Sequence, residues 1–144
     1  MIRLINIINE IEEGIEDVEF IQPEETNIDY YKDLNRMERE SGIYVMRDKT
    51  LTLLAIRNGK VVGALYESND FHDTFSFDII VDKNERKQRI GTKLIDIGIS
   101  DFKEFREYGC ELKLDVVNPN LIDHLLKRGL KIVDRYSRGV IMTL

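Results

Sequence analysis

Cysteine occurs once, at Cys110, so the chain forms no internal disulfide and has no Cys-x-x-Cys or zinc-type spacing. Proline occurs only at Pro23 and Pro119; with 42% apolar and 33% charged residues, this excludes a disordered, collagen-like or low-complexity chain. No apolar run approaches the roughly 18 residues of a membrane-spanning helix, and Met1-Ile2-Arg3-Leu4 does not read as a signal peptide. The two histidines, His72 and His124, are far apart and belong to no metal-ligand pattern, so no metal is expected. A nucleophile elbow, a Walker A loop and a Gly-x-Gly-x-x-Gly fingerprint are all missing. Neither a repeat nor a linker divides the chain. The expectation is one soluble, cytoplasmic domain over residues 1–144, long enough to bury roughly 68–70% of its unfolded surface.

What is present begins with charge. The net charge is −6, and Met1 to Tyr30 holds nine acidic residues against Arg3 alone. An acidic body repels a nucleic-acid backbone, so no nucleic acid is expected as a partner, and the lack of a long apolar run gives the expectation of no membrane. Lys83 to Lys93 inverts the balance, with Lys83, Arg86, Lys87, Arg89 and Lys93 against Glu85. A short basic stretch on an acidic body suits one small polyanion, or else is a solvated face.

The periodicity predicts a mixed α/β order. Leu4, Ile5, Ile8, Ile11 and Ile15 fall at helical spacing up to Gly14, and Val18 to Ile21 forms a short strand before Pro23. Thr26 or Asn27 caps a helix that turns Tyr31, Leu34 and Met37 inward and stops at Gly42. Leu51–Ile56 and Val61–Tyr66 flank Asn58-Gly59, the strongest hairpin signal in the chain. After a polar loop from Ser68 to Asp73, Phe75–Val81 alternates at first and then runs apolar, as a strand covered on both faces does. Ile90, Leu94, Ile95, Ile99 and Phe102 mark a helix, and Leu112–Val116 a strand. Asn118 and Pro119 start a helix that buries Leu121, Ile122, Leu125 and Leu126 and stops at Gly129. Strands at Leu130–Val133 and Gly139–Met142 close the chain.

The stretch from Ile79 to Leu94 carries the chemistry. A buried strand ends at Val81, a basic loop follows, and a helix starts near Arg89 to Gly91. The first amides of a helix have no intrahelical acceptor and its dipole is positive there, so an anion is favoured. Gly91 removes a Cβ where a ligand must approach the backbone.

Arg86-Lys87-Gln88-Arg89-Ile90-Gly91-Thr92 resembles the Arg/Gln-x-x-Gly-x-Gly/Ala loop of the GNAT superfamily of acyl-CoA N-acyltransferases. That loop follows the fourth strand and cradles the CoA pyrophosphate on backbone amides. Arg89 stands where the first glycine is expected, either crowding the pyrophosphate or adding a charge to it. Leu114-Asp115-Val116, Asn118, Leu121, Leu125 and Gly129-Leu130 are similar to the family's next strand and helix, with Leu130 replacing phenylalanine. Many members place an acid-donating tyrosine seven residues after the asparagine, where this chain has Leu125.

The resemblance implies a GNAT-like α/β fold, a mostly antiparallel central sheet flanked by helices. That sheet would splay between the strand ending at Val81 and the one around Leu112–Val116, opening a cleft for the pantetheine arm. It implies acetyl-CoA as co-substrate, bound by Ile80, Val81, Arg86, Lys87, Gln88, Arg89, Ile90, Gly91, Thr92 and Asn118. The activity expected is transfer of the acetyl group to a primary amine by direct attack. A family-like homodimer is also in keeping with it.

Some members carry a carboxylate six residues before the position of Val81, which is Phe75 here; others use the acidic residue of the next strand, so the resemblance implies Asp115, acting directly or through a water, as the base. Its alternation with Leu114 and Val116 turns it to the opposite face, where partial burial would raise its pKa. With Leu125 unable to donate a proton, a water or a loop residue such as Tyr136 protonates the leaving thiolate, or the thiolate leaves unprotonated. Tyr30, Tyr31, Tyr66 and Tyr136 are candidates to line an acceptor groove, and the net acidic chain favours cationic amines. Two alternatives stay open: a GNAT-fold module that binds CoA or a protein without catalysis, and an unrelated α/β interaction domain.

Overall fold

The computed structural model describes residues 17–41, 49–69, 74–85, 89–106 and 109–144. The helix expected before Gly14, the stop at Gly42, His72 and the loop residues Arg86, Lys87 and Gln88 lie outside them. Two compact units form: residues 1–67 with 77–101, and residues 68–76 with 102–144.

In the first unit, β1 (Val18–Ile21) pairs antiparallel with β2 (Thr50–Arg57), and β2 with β3 (Lys60–Asn69). The β2–β3 turn is Asn58-Gly59, both with positive φ, 52° and 74°, the left-handed pair that matches strand twist in a two-residue hairpin. Next to β3 in the sheet runs β4 (Thr74–Val81). Strand β3 continues to Asn69, past the point where the polar loop was expected.

Helix α1 (Tyr30–Ser41) buries Leu34 and Met37 against Leu54, Ile56, Val61, Ala64 and Ile80. It starts later than expected, because Thr26 Oγ1 accepts from the Ile28 amide and closes a turn instead of capping the helix. Tyr31, expected to face inward, is 65% exposed. Tyr30 takes its place against the core: both tyrosines lie three or four residues before Leu34, but only Tyr30 lies seven before Met37.

Helix α2 (Ile90–Phe105) buries Ile90, Leu94, Ile95, Ile99 and Phe102, as its spacing predicts. A Cβ at Gly98 would lie 2.9 Å from the Phe77 ring, and one at Gly63 3.1 Å from Ile90, so helix and sheet meet at bare glycines. The end of β4 therefore has apolar neighbours on both faces. Ile80 joins the α1 cluster, whereas Ile79 and Val81 approach α2 at Gly91 and stay half-buried.

In the second unit, Thr74 and Phe75 at the start of β4 pair in parallel with β5 (Glu111–Leu112). The Lys113 amide donates to Phe75 O, and the chain then passes to β6 (Leu114–Val116), which pairs with β8 (Gly139–Thr143). The single strand expected over Leu112–Val116 is thus two strands in two sheets, because its halves find different partners. The second sheet is antiparallel in the order β6-β8-β7, with β7 at Lys131–Tyr136.

Helix α3 (Pro119–Lys127) has the expected N-cap, with Asn118 Oδ1 accepting from the Asn120 amide at 3.0 Å. It ends in a Schellman motif: Leu130 N donates to Leu125 O and Gly129 N to Leu126 O, with Gly129 at φ 89°. Leu125 is buried, but Leu126, expected in the core, is 44% exposed. No described helix is long and apolar enough to cross a membrane.

Candidate functional site

The strand–loop–helix segment can be followed on both sides of residues 86–88. Asp82 ends β4, its amide donating to Val62 O at 2.8 Å and its Oδ1 accepting from the Asn84 amide at 3.0 Å. A single 3-10 turn, Lys83–Glu85, comes next. The far side resumes at Arg89, whose φ is 65°, and its carbonyl accepts the first α-helical bond, from Lys93 N.

That bond fixes Arg89 as the N-cap and leaves the amides of Ile90, Gly91 and Thr92 without helical acceptors. Arg89 thus holds a left-handed backbone, a conformation in which glycine meets no steric penalty. A Cβ at Gly91 would meet only Val81 Cγ2 at 3.4 Å and Ile79 Cδ1 at 3.6 Å, ordinary packing distances. The fold itself does not demand glycine there.

Of the other expected cofactor residues, Ile80 is buried in the α1 cluster and Val81 is half-buried beside Gly91. Asn118 spends its side-chain oxygen on the α3 cap. Leu125 packs in the interior, so its hydrocarbon side chain has a core role.

Asp115 and Tyr136 are brought together. Asp115 pairs with Ile141 on β8, Tyr136 pairs with Gly139 on the same strand, and the Tyr136 hydroxyl donates to Asp115 Oδ1. The hydrogen bond to Asp115 raises the Tyr136 pKa, because ionising the phenol would set two anions together. Asp115 itself is exposed, not partly buried as expected. Leu114 and Val116 take the covered face of β6, and the strand's period of two sends Asp115 to solvent. What sequence reasoning missed is the contact itself; no pattern joins two residues so far apart in the chain.

Three of the four candidate tyrosines share a cavity of about 390 Å3 in the first unit, formed by Tyr30, Tyr31 and Tyr66 with Leu34, Glu38 and Leu51 among its lining residues. Among the described residues, no group of three or more metal-ligating side chains occurs, and His124 is exposed. Cys110 is half-buried.

The sequence matches the model of the Acetyltransferase (GNAT) family over residues 9–129, and the chain belongs to that family. The solved structures similar to it share the fold. A GNAT-family acetyltransferase from Streptococcus pneumoniae superposes with a TM-score of 0.63 at 15% identity, covering 88% of this chain and 98% of that one. The ribosomal-protein-S18-alanine N-acetyltransferase from Escherichia coli gives 0.60 at 17% identity, covering 88% and 92%. The PaiA N-acetyltransferase from Thermoplasma acidophilum, solved in complex with coenzyme A, gives 0.52 at 19% identity, covering 78% and 69%. No curated protein matches the sequence.

Proposed function

We propose that the chain is an N-acetyltransferase that moves the acetyl group of acetyl-CoA to a primary amine. The observation that carries the reading is the entry to α2. A non-glycine residue holds φ 65° where the family has glycine, and three helix amides follow with no helical acceptor. A left-handed arginine costs about 1–2 kcal/mol over the ordinary conformation, so an ordinary loop would not keep it. Those amides, with Gly91 bare beside Val81, fit a pyrophosphate. Arg86, Lys87, Gln88 and Arg89 supply charge and hydrogen bonds around it, and Ile80, Val81 and Asn118 complete the cofactor-binding set.

Bound acetyl-CoA supplies the activated thioester. Asp115 takes the proton from the acceptor amine, and Tyr136 holds a proton for the leaving sulfur. Their hydrogen bond suits this division, since a tyrosine with a raised pKa stays protonated through neutral pH. The net charge of −6 favours cationic acceptors, and the lone cysteine fits a cytoplasmic setting.

The test is calorimetric titration with acetyl-CoA, followed by a panel of amines scored for CoA release. Saturable binding with amine-dependent release is expected. Binding without release on any amine leaves a CoA-binding module. At a hundred times the dissociation constant, acetyl-CoA should stabilise the fold by roughly 2.7 kcal/mol. Gly91→Val should fold and lose most of that shift; an undiminished shift moves the phosphate site elsewhere.

A further inference from the structure

We propose that the tyrosine-lined pocket of the first unit binds a small organic cation, an alkylammonium group held by Glu38 and the rings of Tyr30, Tyr31 and Tyr66. Three aromatic rings around one cavity are what a desolvated cation seeks, since each ring face is negative. Tyr30 and Tyr31 stand side by side with ring centroids 4.7 Å apart and planes tilted by 40°, and Tyr66 comes from β3. Leu34 and Leu51 supply apolar wall for the carbon part of such a ligand.

The charge pattern selects the sign. No described lining residue is basic, and Glu38 is the carboxylate among them. On the same helix Arg36 is engaged by Asp82 at 2.8 Å and Glu40 at 3.2 Å, and among the described residues no ion pair includes Glu38. Burial pushes the Tyr66 phenol up to about 12, with the charge of Glu38 adding to it. Tyr66 is therefore a neutral ring at physiological pH, and the potential in the pocket is negative. Glu38 is the one carboxylate among the described lining residues, with neutral phenol, Asn35 and Thr50 oxygens beside it, and so low a ligand charge suits calcium or magnesium poorly. An anion would find phenol, hydroxyl and amide donors there but no cationic side chain, and the Glu38 carboxylate would repel it. The organic cation satisfies both the rings and the carboxylate.

Cation binding needs no acyl-CoA, so the test uses the full chain alone and stands apart from the transfer reaction. Amide chemical shifts would be followed while tert-butylammonium chloride is added at constant ionic strength, with tert-butanol as the neutral ligand of the same shape. Saturable shifts are expected at Glu38, Leu51 and Tyr66 with the ammonium and not with the alcohol. Glu38→Gln and Tyr31→Ala alter side chains at the pocket's accessible side, and the same spectra report whether they fold. Each should raise the dissociation constant at least fivefold. Equal affinity for the alcohol, no saturable shift, or unchanged affinity in the folded Glu38→Gln protein would each overturn the proposal.

Discussion

At Arg89 two demands meet in one residue. The backbone needs φ 65°, which disfavours a side chain, while a positive charge at the helix N-terminus, unfavourable to the free helix, strengthens the hold on a bound anion. Arg89→Gly separates the two. Relief of the left-handed strain, about 1–2 kcal/mol, exceeds the 0.5–1 kcal/mol that glycine's extra unfolded-state freedom costs. The variant should thus be more stable by a few tenths to about 1 kcal/mol in urea unfolding. Its affinity for acetyl-CoA should fall several-fold at low salt and converge on the parent's as salt screens the charge. Tighter binding by the variant would mean that the arginine crowds the site. The second test at this scale is the Asp115–Tyr136 pair. Asp115→Asn should keep acetyl-CoA affinity and lose on the order of 10²-fold in turnover. Tyr136→Phe should also lower turnover, mainly through kcat. Near-normal turnover of Asp115→Asn from pH 6 to 9 would remove it as the base.

Among the elements, β8 holds the pair in place. It lies between β6 and β7, and its Gly139 lets it approach β6 so closely that a Cβ there would collide with Val116 O. A backbone atom cannot swing aside as a side chain can, so Gly139→Ala should cost about 3 kcal/mol, the upper part of the overpacking range. Thermal unfolding reads that loss; a change under 1 kcal/mol would show that the strands part easily. This close approach was not legible in the sequence, where Gly139 looks like any residue at the start of a strand. The hairpin at Asn58-Gly59, the α3 cap at Asn118-Pro119 and the stop at Gly129 were legible, because each is local chemistry within a few residues. Strand β1 and the buried face of α2 were legible from periodicity alone. The division of Leu112–Val116 was not: its alternation is continuous, and only the partners, Phe75 on one side and β8 on the other, break it. Tyr31 was misplaced for a related reason, since two adjacent tyrosines both satisfy helical spacing to Leu34. At the site, the loop and the two candidate acid–base residues could be named from the sequence. Their hydrogen bond, and the gathering of three tyrosines around Glu38, required the tertiary fold.

Across the whole molecule, acidic residues outnumber basic ones 27 to 21, and one buried carboxylate couples stability to acid. Asp82 closes β4 at the mouth of the basic loop. Its side chain is 3% exposed and ties that point to α1 through Arg36 at 2.8 Å. Burial pushes its pKa up, but the Asn84 amide and the Arg36 guanidinium together outweigh burial, and the net shift is downward. A carboxylate with a lowered folded pKa binds protons less readily in the folded state. Its contribution is therefore complete above the unfolded value of about 4 and is lost as pH falls through the folded one. Asp82→Asn should cost about 2 kcal/mol at pH 7, the scale of a hydrogen bond to a charged group, with Arg36 left short of its partner. The gap between the two proteins should stay constant from pH 7 down to about pH 5 and narrow below pH 4, as the parent's own carboxylate becomes protonated. Urea unfolding at a series of pH values measures it. A gap that widened on acidification would mean that the Asp82 pKa is raised, with burial stronger than the guanidinium and amide that face it.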